Sequence, residues 1–213
     1  MKLLLPILLM LSLSACGVAQ KAQYSALEQF GVHKRDILVD RIEKTSEAQE
    51  ETKEQFQSAY DELSSLVSVD DQGLERKYKR MAKAVEESEA QAQELKDRTE
   101  SVNRVATDLF AEWQEELELY DNPRLRQTSA ENLATTKRRY AKLYQAMLEA
   151  NSRVEPVLQV LQDNTLFLKH NLNARAVSSL SSEVVSIEGK VKALIRQMEA
   201  SINESKSFID SMN

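Results

Sequence analysis

A seam of period 3.5 begins at Leu38 and runs through Ile42, Thr45, Gln49, Thr52, Phe56, Ala59, Leu63 and Leu66. Alternating steps of four and three keep one stripe of a helix facing one partner, which is the heptad signature. Ser25 and Glu28 stand upstream at capping-box spacing. Ser68-Val69-Asp70-Asp71-Gln72-Gly73 then supplies turn residues and a helix start. A second seam runs through Leu74, Tyr78, Met81, Val85, Ser88, Ala92, Leu95, Thr99, Val102, Ala106, Leu109, Trp113, Leu117 and Tyr120. It stops at Asp121-Asn122-Pro123, where Asn caps and Pro takes the first helical position. Thr128 and Glu131 offer a later capping box for the same helix. The third seam spans Leu133 to Leu168 and the fourth Val177 to Met212.

The seams pair as antiparallel hairpins. Leu63 falls opposite Tyr78, Phe56 opposite Val85, Gln49 opposite Ala92 and Ile42 opposite Thr99. In the second half, Leu133 meets Met212, Met147 meets Met198, and Leu168 meets Val177. Both alignments fold the chain near the turn-like stretches at 70–71 and 172–173. The expected fold is all-α: an elongated antiparallel helical bundle or coiled coil of about four long helices in two αα-hairpins. Helices of roughly 40–47 residues would extend about 60–70 Å at 1.5 Å per residue. The competing arrangement is a single extended rod that assembles only as an oligomer.

Composition supports helices and narrows the function. The 213 residues include only 4 Gly and 3 Pro, with 29% charged and 6% aromatic residues. So few loop-forming residues exclude a β-sandwich and glycine-rich phosphate loops. The net charge of −6 argues against a nucleic-acid partner.

The N-terminus adds a location. Lys2 precedes an apolar run from Leu3 to Leu11, and Leu13-Ser14-Ala15-Cys16 comes next. A charged start, a short apolar stretch and small residues form a secretory signal, too short to span a bilayer. Cys16, the only cysteine, sits where a bacterial lipobox carries its diacylglyceryl and acyl (palmitate-type) chains. Such chains hold a protein to a membrane by burying methylenes. Gly17, rather than an aspartate, favours transport to the outer membrane. The expected organisation is a cleaved signal peptide at 1–15, an acylated Cys16 with a short tether through residue 23, and one helical domain at 24–213. Cleavage removes Lys2, shifting the net charge from −6 to −7.

Four irregularities interrupt the pattern. Thr45, Gln49, Thr52 and the facing Ser88 form a polar core layer, which either fixes register or lines a ligand cavity. Pro156 lies inside the third seam and either kinks that helix or breaks it, with Ser152 and Glu155 as a new cap. His33, Lys34 and Arg35 gather near the tethered end, and His170, Asn171, Asn173 and Arg175 near the far turn; both groups are candidate partner-binding residues. The two histidines fall at opposite ends of the proposed rod and so cannot share a metal or catalytic site. No catalytic motif, metal-ligand spacing or cofactor box stands out, so the expectation is a non-enzyme without a cofactor.

Phe30-Gly31-Val32-His33-Lys34-Arg35-Asp36-Ile37-Leu38-Val39-Asp40-Arg41, Leu168-Lys169-His170-Asn171-Leu172-Asn173-Ala174-Arg175-Ala176 and Leu109-Phe110-Ala111-Glu112-Trp113 resemble a family of Gram-negative envelope lipoproteins catalogued as a domain of unknown function. The resemblance covers about residues 24–209. It implies a helical envelope lipoprotein and carries no catalytic residue or cofactor with it. The expected role is a lipid-anchored periplasmic scaffold or spacer on the outer membrane that binds an envelope protein or the cell wall. It has no nucleic-acid partner, and homo-oligomerisation is left open. Alternatives are a bundle-type ligand sensor using the layer near Gln49 and a BAR-like curvature module suggested by the seams and the Pro156 kink.

Overall fold

A computed structural model describes residues 33–67 and 73–212. The signal segment, Cys16, the tether, the Ser25–Glu28 capping box and the turn at 68–72 lie outside the described residues. Helix α1 spans Lys34–Val67, α2 Leu74–Glu116, α3 Pro123–His170, α4 Ala174–Ser179 and α5 Ser181–Met212; a 3₁₀ turn, Leu117–Leu119, ends α2. The four long helices form an up-down-up-down bundle. Around its circumference α1 packs on α2, α2 on α3, α3 on α5 and α5 back on α1. The fold is therefore an all-α elongated helical bundle built within one chain, and α3 alone is about 70 Å long at 1.5 Å per residue.

The hairpin alignments hold closely. Arg80 Nε donates to Glu62 at 3.1 Å, Lys77 Nζ to the Ser65 carbonyl at 2.7 Å and Gln55 Nε2 to the Ala84 carbonyl at 2.8 Å. These contacts match the aligned α1–α2 pairs within one or two residues. In the α3–α5 hairpin, Gln197 pairs with Glu149 at 2.9 Å and Lys142 with Glu204 at 2.6 Å, one residue from the aligned positions. Long polar side chains reach that far along neighbouring helices.

The connection from α2 to α3 obeys local chemistry. Asn122 Oδ1 accepts from the amides of Arg124 and Leu125 at 3.0 and 3.3 Å, and Pro123 occupies the first helical position. The Thr128 capping box does not form, because the helix has already begun; Thr128 Oγ1 donates to the Arg124 carbonyl instead. Tyr120 falls off the core seam, because α2 ends at Glu116 and the 3₁₀ turn rotates the next residues outward. Gly73 opens α2 with φ +94°, a left-handed conformation that costs glycine little.

Helix α3 runs unbroken through Pro156. Ser152 Oγ donates back to the Glu149 carbonyl and starts no new helix. The Ser152 carbonyl loses its helical donor to the proline, and both residues are exposed, so that oxygen faces water. The fourth long helix differs from the sequence expectation. After Asn171–Asn173 the chain makes the short α4 and re-forms as α5 beyond Leu180, whose amide bonds to the Val177 carbonyl at 3.1 Å. Ser179 and Ser181 donate to carbonyls three residues back. Serines that bond their own backbone weaken a continuing helix.

An aromatic cluster closes the bundle near the α2–α3 turn. Tyr140 is edge-on to Phe110 and Phe208 and stacks on Tyr144 at a centroid distance of 5.8 Å. Its hydroxyl donates to Asn103 Oδ1 at 3.1 Å. Burial, and secondarily Tyr144, pushes the phenol well above its ordinary pKa of 10.0. The folded state thus holds this proton more tightly than the unfolded chain, so the associated stability is intact below about pH 10 and is lost as pH rises further. Thermal melts of wild type are expected to fall above about pH 10 more steeply than those of Tyr140→Phe. Separately, Asn122→Ala should cost about 1 kcal/mol in denaturant unfolding through loss of the α3 cap.

Candidate functional site

The core splits into two apolar blocks. One holds Phe56, Leu63, Met81, Leu161, Val191 and Leu194; the other holds Leu38, Ile42, Val102, Leu143, Met147 and Phe208. Between them lies a belt of buried polar side chains: Thr45 and Gln49 on α1, Thr99 on α2, and Ser201 and Ser205 on α5. Asn151 of α3 joins the belt by donating to Thr99 Oγ1 at 3.0 Å. Thr52 and Ser88 are also fully buried and border the belt on the far-end side.

The hydrogen bonds of the belt share one pattern. Thr45, Thr52, Ser88, Thr99 and Ser205 each donate to the carbonyl four residues earlier in their own helix. Their protons are spent locally, so the belt is rich in acceptors and short of donors. Gln49, 0% exposed, donates from Nε2 to Ser201 Oγ at 2.9 Å, while its Oε1 has no partner. Asn151 Oδ1 is likewise unpartnered.

The heptad alignment puts Gln49 opposite Ser88 and Ala92, but its hydrogen-bond partner is Ser201 of α5. A pairwise hairpin alignment sees one neighbour per helix, whereas each helix here has two. The same geometry explains the buried residues missed by the heptad seams, including Ala48, Ala84, Val105, Phe110, Leu158 and Ile202. They widen each stripe toward the second neighbour, as bundle helices require.

Several grooves mark the surface. One of about 800 Å³ lies between α2 and α3, floored by Leu95, Val154 and Leu158 and rimmed by Glu86, Glu89 and Glu155. Another, about 590 Å³, runs along α1 past Lys53 and Glu54 to Arg80 and Ile195. A third, about 840 Å³, joins Leu74 and Lys79 to Leu172 and Asn173 at the far end. Gln49 lines none of them. Among the described residues no His, Cys, Asp and Glu side chains gather to hold a metal ion, and no helix is long and apolar enough to cross a membrane.

The candidate partner-binding residues divide by environment. His33 and Arg35 are exposed beside the start of α1. Lys34 is committed to its own fold, with Nζ 2.7 Å from Glu112 and a side chain only 12% exposed. At the opposite end, His170 and Arg175 are exposed. Asn171 and Asn173 work as caps there: Asn171 Nδ2 donates to the Phe167 carbonyl, and Asn173 Oδ1 accepts from the Ala176 amide at 3.1 Å. His33 and His170 therefore stand at opposite ends of the bundle, and of the two groups Asn173 alone lines one of the grooves described above. Replacing the mismatched pair tests whether the belt is only structural. Gln49→Leu combined with Ser201→Ala is expected to raise stability by about 1–2 kcal/mol in denaturant unfolding, because it removes a buried orphan acceptor together with its partner. A comparable loss would mean that something else satisfies Gln49 in solution.

No curated protein and no solved structure matches the chain. A family model, described as protein of unknown function (DUF2959), matches residues 23–212. That stretch takes in every helix of the bundle and agrees with the sequence resemblance over about 24–209, and the chain belongs to this family.

Proposed function

We propose that this chain is a non-enzymatic, lipid-anchored spacer or scaffold of the periplasm, held to the outer membrane through Cys16 and binding an envelope protein or the cell wall along its helical rod. The observation that carries this reading is where the chain enters the bundle. Helix α1 starts beside the α2–α3 turn, as the Lys34–Glu112 contact records, so a lipid at Cys16 would hold the rod by one end. The other end, with exposed His170 and Arg175, would then stand about 55–60 Å from where α1 enters the bundle, at 1.5 Å per residue of α3 from Leu133 to His170. Such a shape sets a distance, which is what a spacer does.

The ligand-sensor alternative has one observation in its favour, the unpartnered Gln49 Oε1. Against it, Gln49 is fully enclosed, so a ligand would enter only if the helices parted. A curvature-sensing role draws no support from the surface charge, since basic side chains such as Lys79, Arg80 and Arg98 are paired with nearby carboxylates.

Labelling with a fatty-acid analogue in a Gram-negative host tests the anchor. Incorporation is expected into the wild-type chain and should vanish in Cys16→Ala. A wild-type chain that carries no label overturns the reading. Photo-crosslinking from Arg175, with mass spectrometry of the products, should then capture an envelope protein or a wall fragment.

A further inference from the structure

The α2–α3 hairpin reaches past its neighbours. Helix α3 starts at Pro123, but its first buried residue is Leu133, and residues 121–128 are all exposed. Helix α5 ends at Met212, which packs in the same apolar block as Leu133. On the other side, the first residue of α1 is level with Glu112. The tip thus projects about ten residues, or ~15 Å, beyond the described ends of α1 and α5.

This tip presents apolar side chains on a hydrogen-bonded turn. Leu119 is 80% exposed, Leu125 54% and Tyr120 41%, all within seven residues. Asn122 caps the second helix, Arg126 bonds Glu118 across the turn, and Trp113 Nε1 donates to Ser129 Oγ at 2.8 Å below it. The exposed leucines are therefore presented by a braced hairpin.

We infer that Leu119, Tyr120 and Leu125 seat in the headgroup region of the bilayer that carries the N-terminal anchor. This rests on the lipid anchor proposed above. Two features point to lipid as the occupant. The tip lies at the end of the rod where the stretch from Cys16 to Val32 joins, and that stretch begins at the acylated Cys16 of the proposed anchor. The seventeen residues from Cys16 to Val32 can span at most about 60 Å when extended, so the anchor keeps this end of the rod near the bilayer and leaves ample chain for the tip to touch it. Tyrosine, with an apolar ring and a polar hydroxyl, suits such an interface. The surrounding charges, Glu115, Glu116, Glu118 and Asp121 against Arg124 and Arg126, make the contact one of apolar insertion and not of attraction to anionic lipid.

The test places a photo-crosslinking amino acid at Leu119, at Leu125 and, as a control, at Leu166, which is 60% exposed toward the opposite end. The full chain is expressed in a Gram-negative host and its acylation is checked by intact mass. Phospholipid adducts at positions 119 and 125 are expected about tenfold above those at 166, as the burial of a leucine side chain implies. Adducts with another protein or with residues 23–32 of the same chain, or a yield no higher than the control, overturn the inference. Acylation without tip adducts removes this inference alone; loss of both also removes the anchored-spacer reading.

Discussion

A helix of about forty residues with a mostly polar surface holds its shape only if its apolar stripe is covered along the whole length. In this bundle that constraint applies four times over, because each long helix must satisfy two neighbours at once. The two hairpins and the closing α1–α5 contact meet it with one set of registers. Lys53 illustrates the coupling: it lies 2.7 Å from Glu50 on its own helix and 3.6 Å from Glu199 on α5. Its hydrogen bond to Glu50, only partly opposed by burial, raises its pKa. Such partly exposed pairs add little stability singly, but the one to Glu199 sits where a slip of α1 past α5 would break it.

Much of this architecture is legible in the chain. Heptad spacing locates the long helices, and matching the seams pairs Phe56 with Val85 and Leu168 with Val177, which do share one apolar block. Asn122-Pro123 announces its own turn. What the seams cannot supply is the second neighbour of each helix, because a two-helix alignment contains no term for it. That is why they match Gln49 with α2 although Ser201 receives its amide, and why Phe110 and Val105 fall outside them despite being buried. The break at Leu180 is hidden for another reason. Its buried flanks keep the seam in phase while the serines around it loosen the backbone.

The candidate site is less legible because its residues serve two ends of a rod and no shared pocket. Lys34, Asn171 and Asn173 look in the sequence like groups offered to a partner, yet an ion pair and two helix ends use them within the fold. His33, Arg35, His170 and Arg175 remain on the surface. Sequence alone gives no way to separate these sets, since a capping asparagine and a partner-facing one look the same until the helix ends are placed.

Pro156 falls only five positions beyond Asn151, so the missing backbone bond of α3 and the donor-poor belt occupy neighbouring levels of the bundle. On either side the cross-section is greasy and well filled; here it is held by hydroxyls turned back on their own helices. Loaded sideways, a beam built this way yields at that level first. Such a rod flexes midway while both of its ends stay folded.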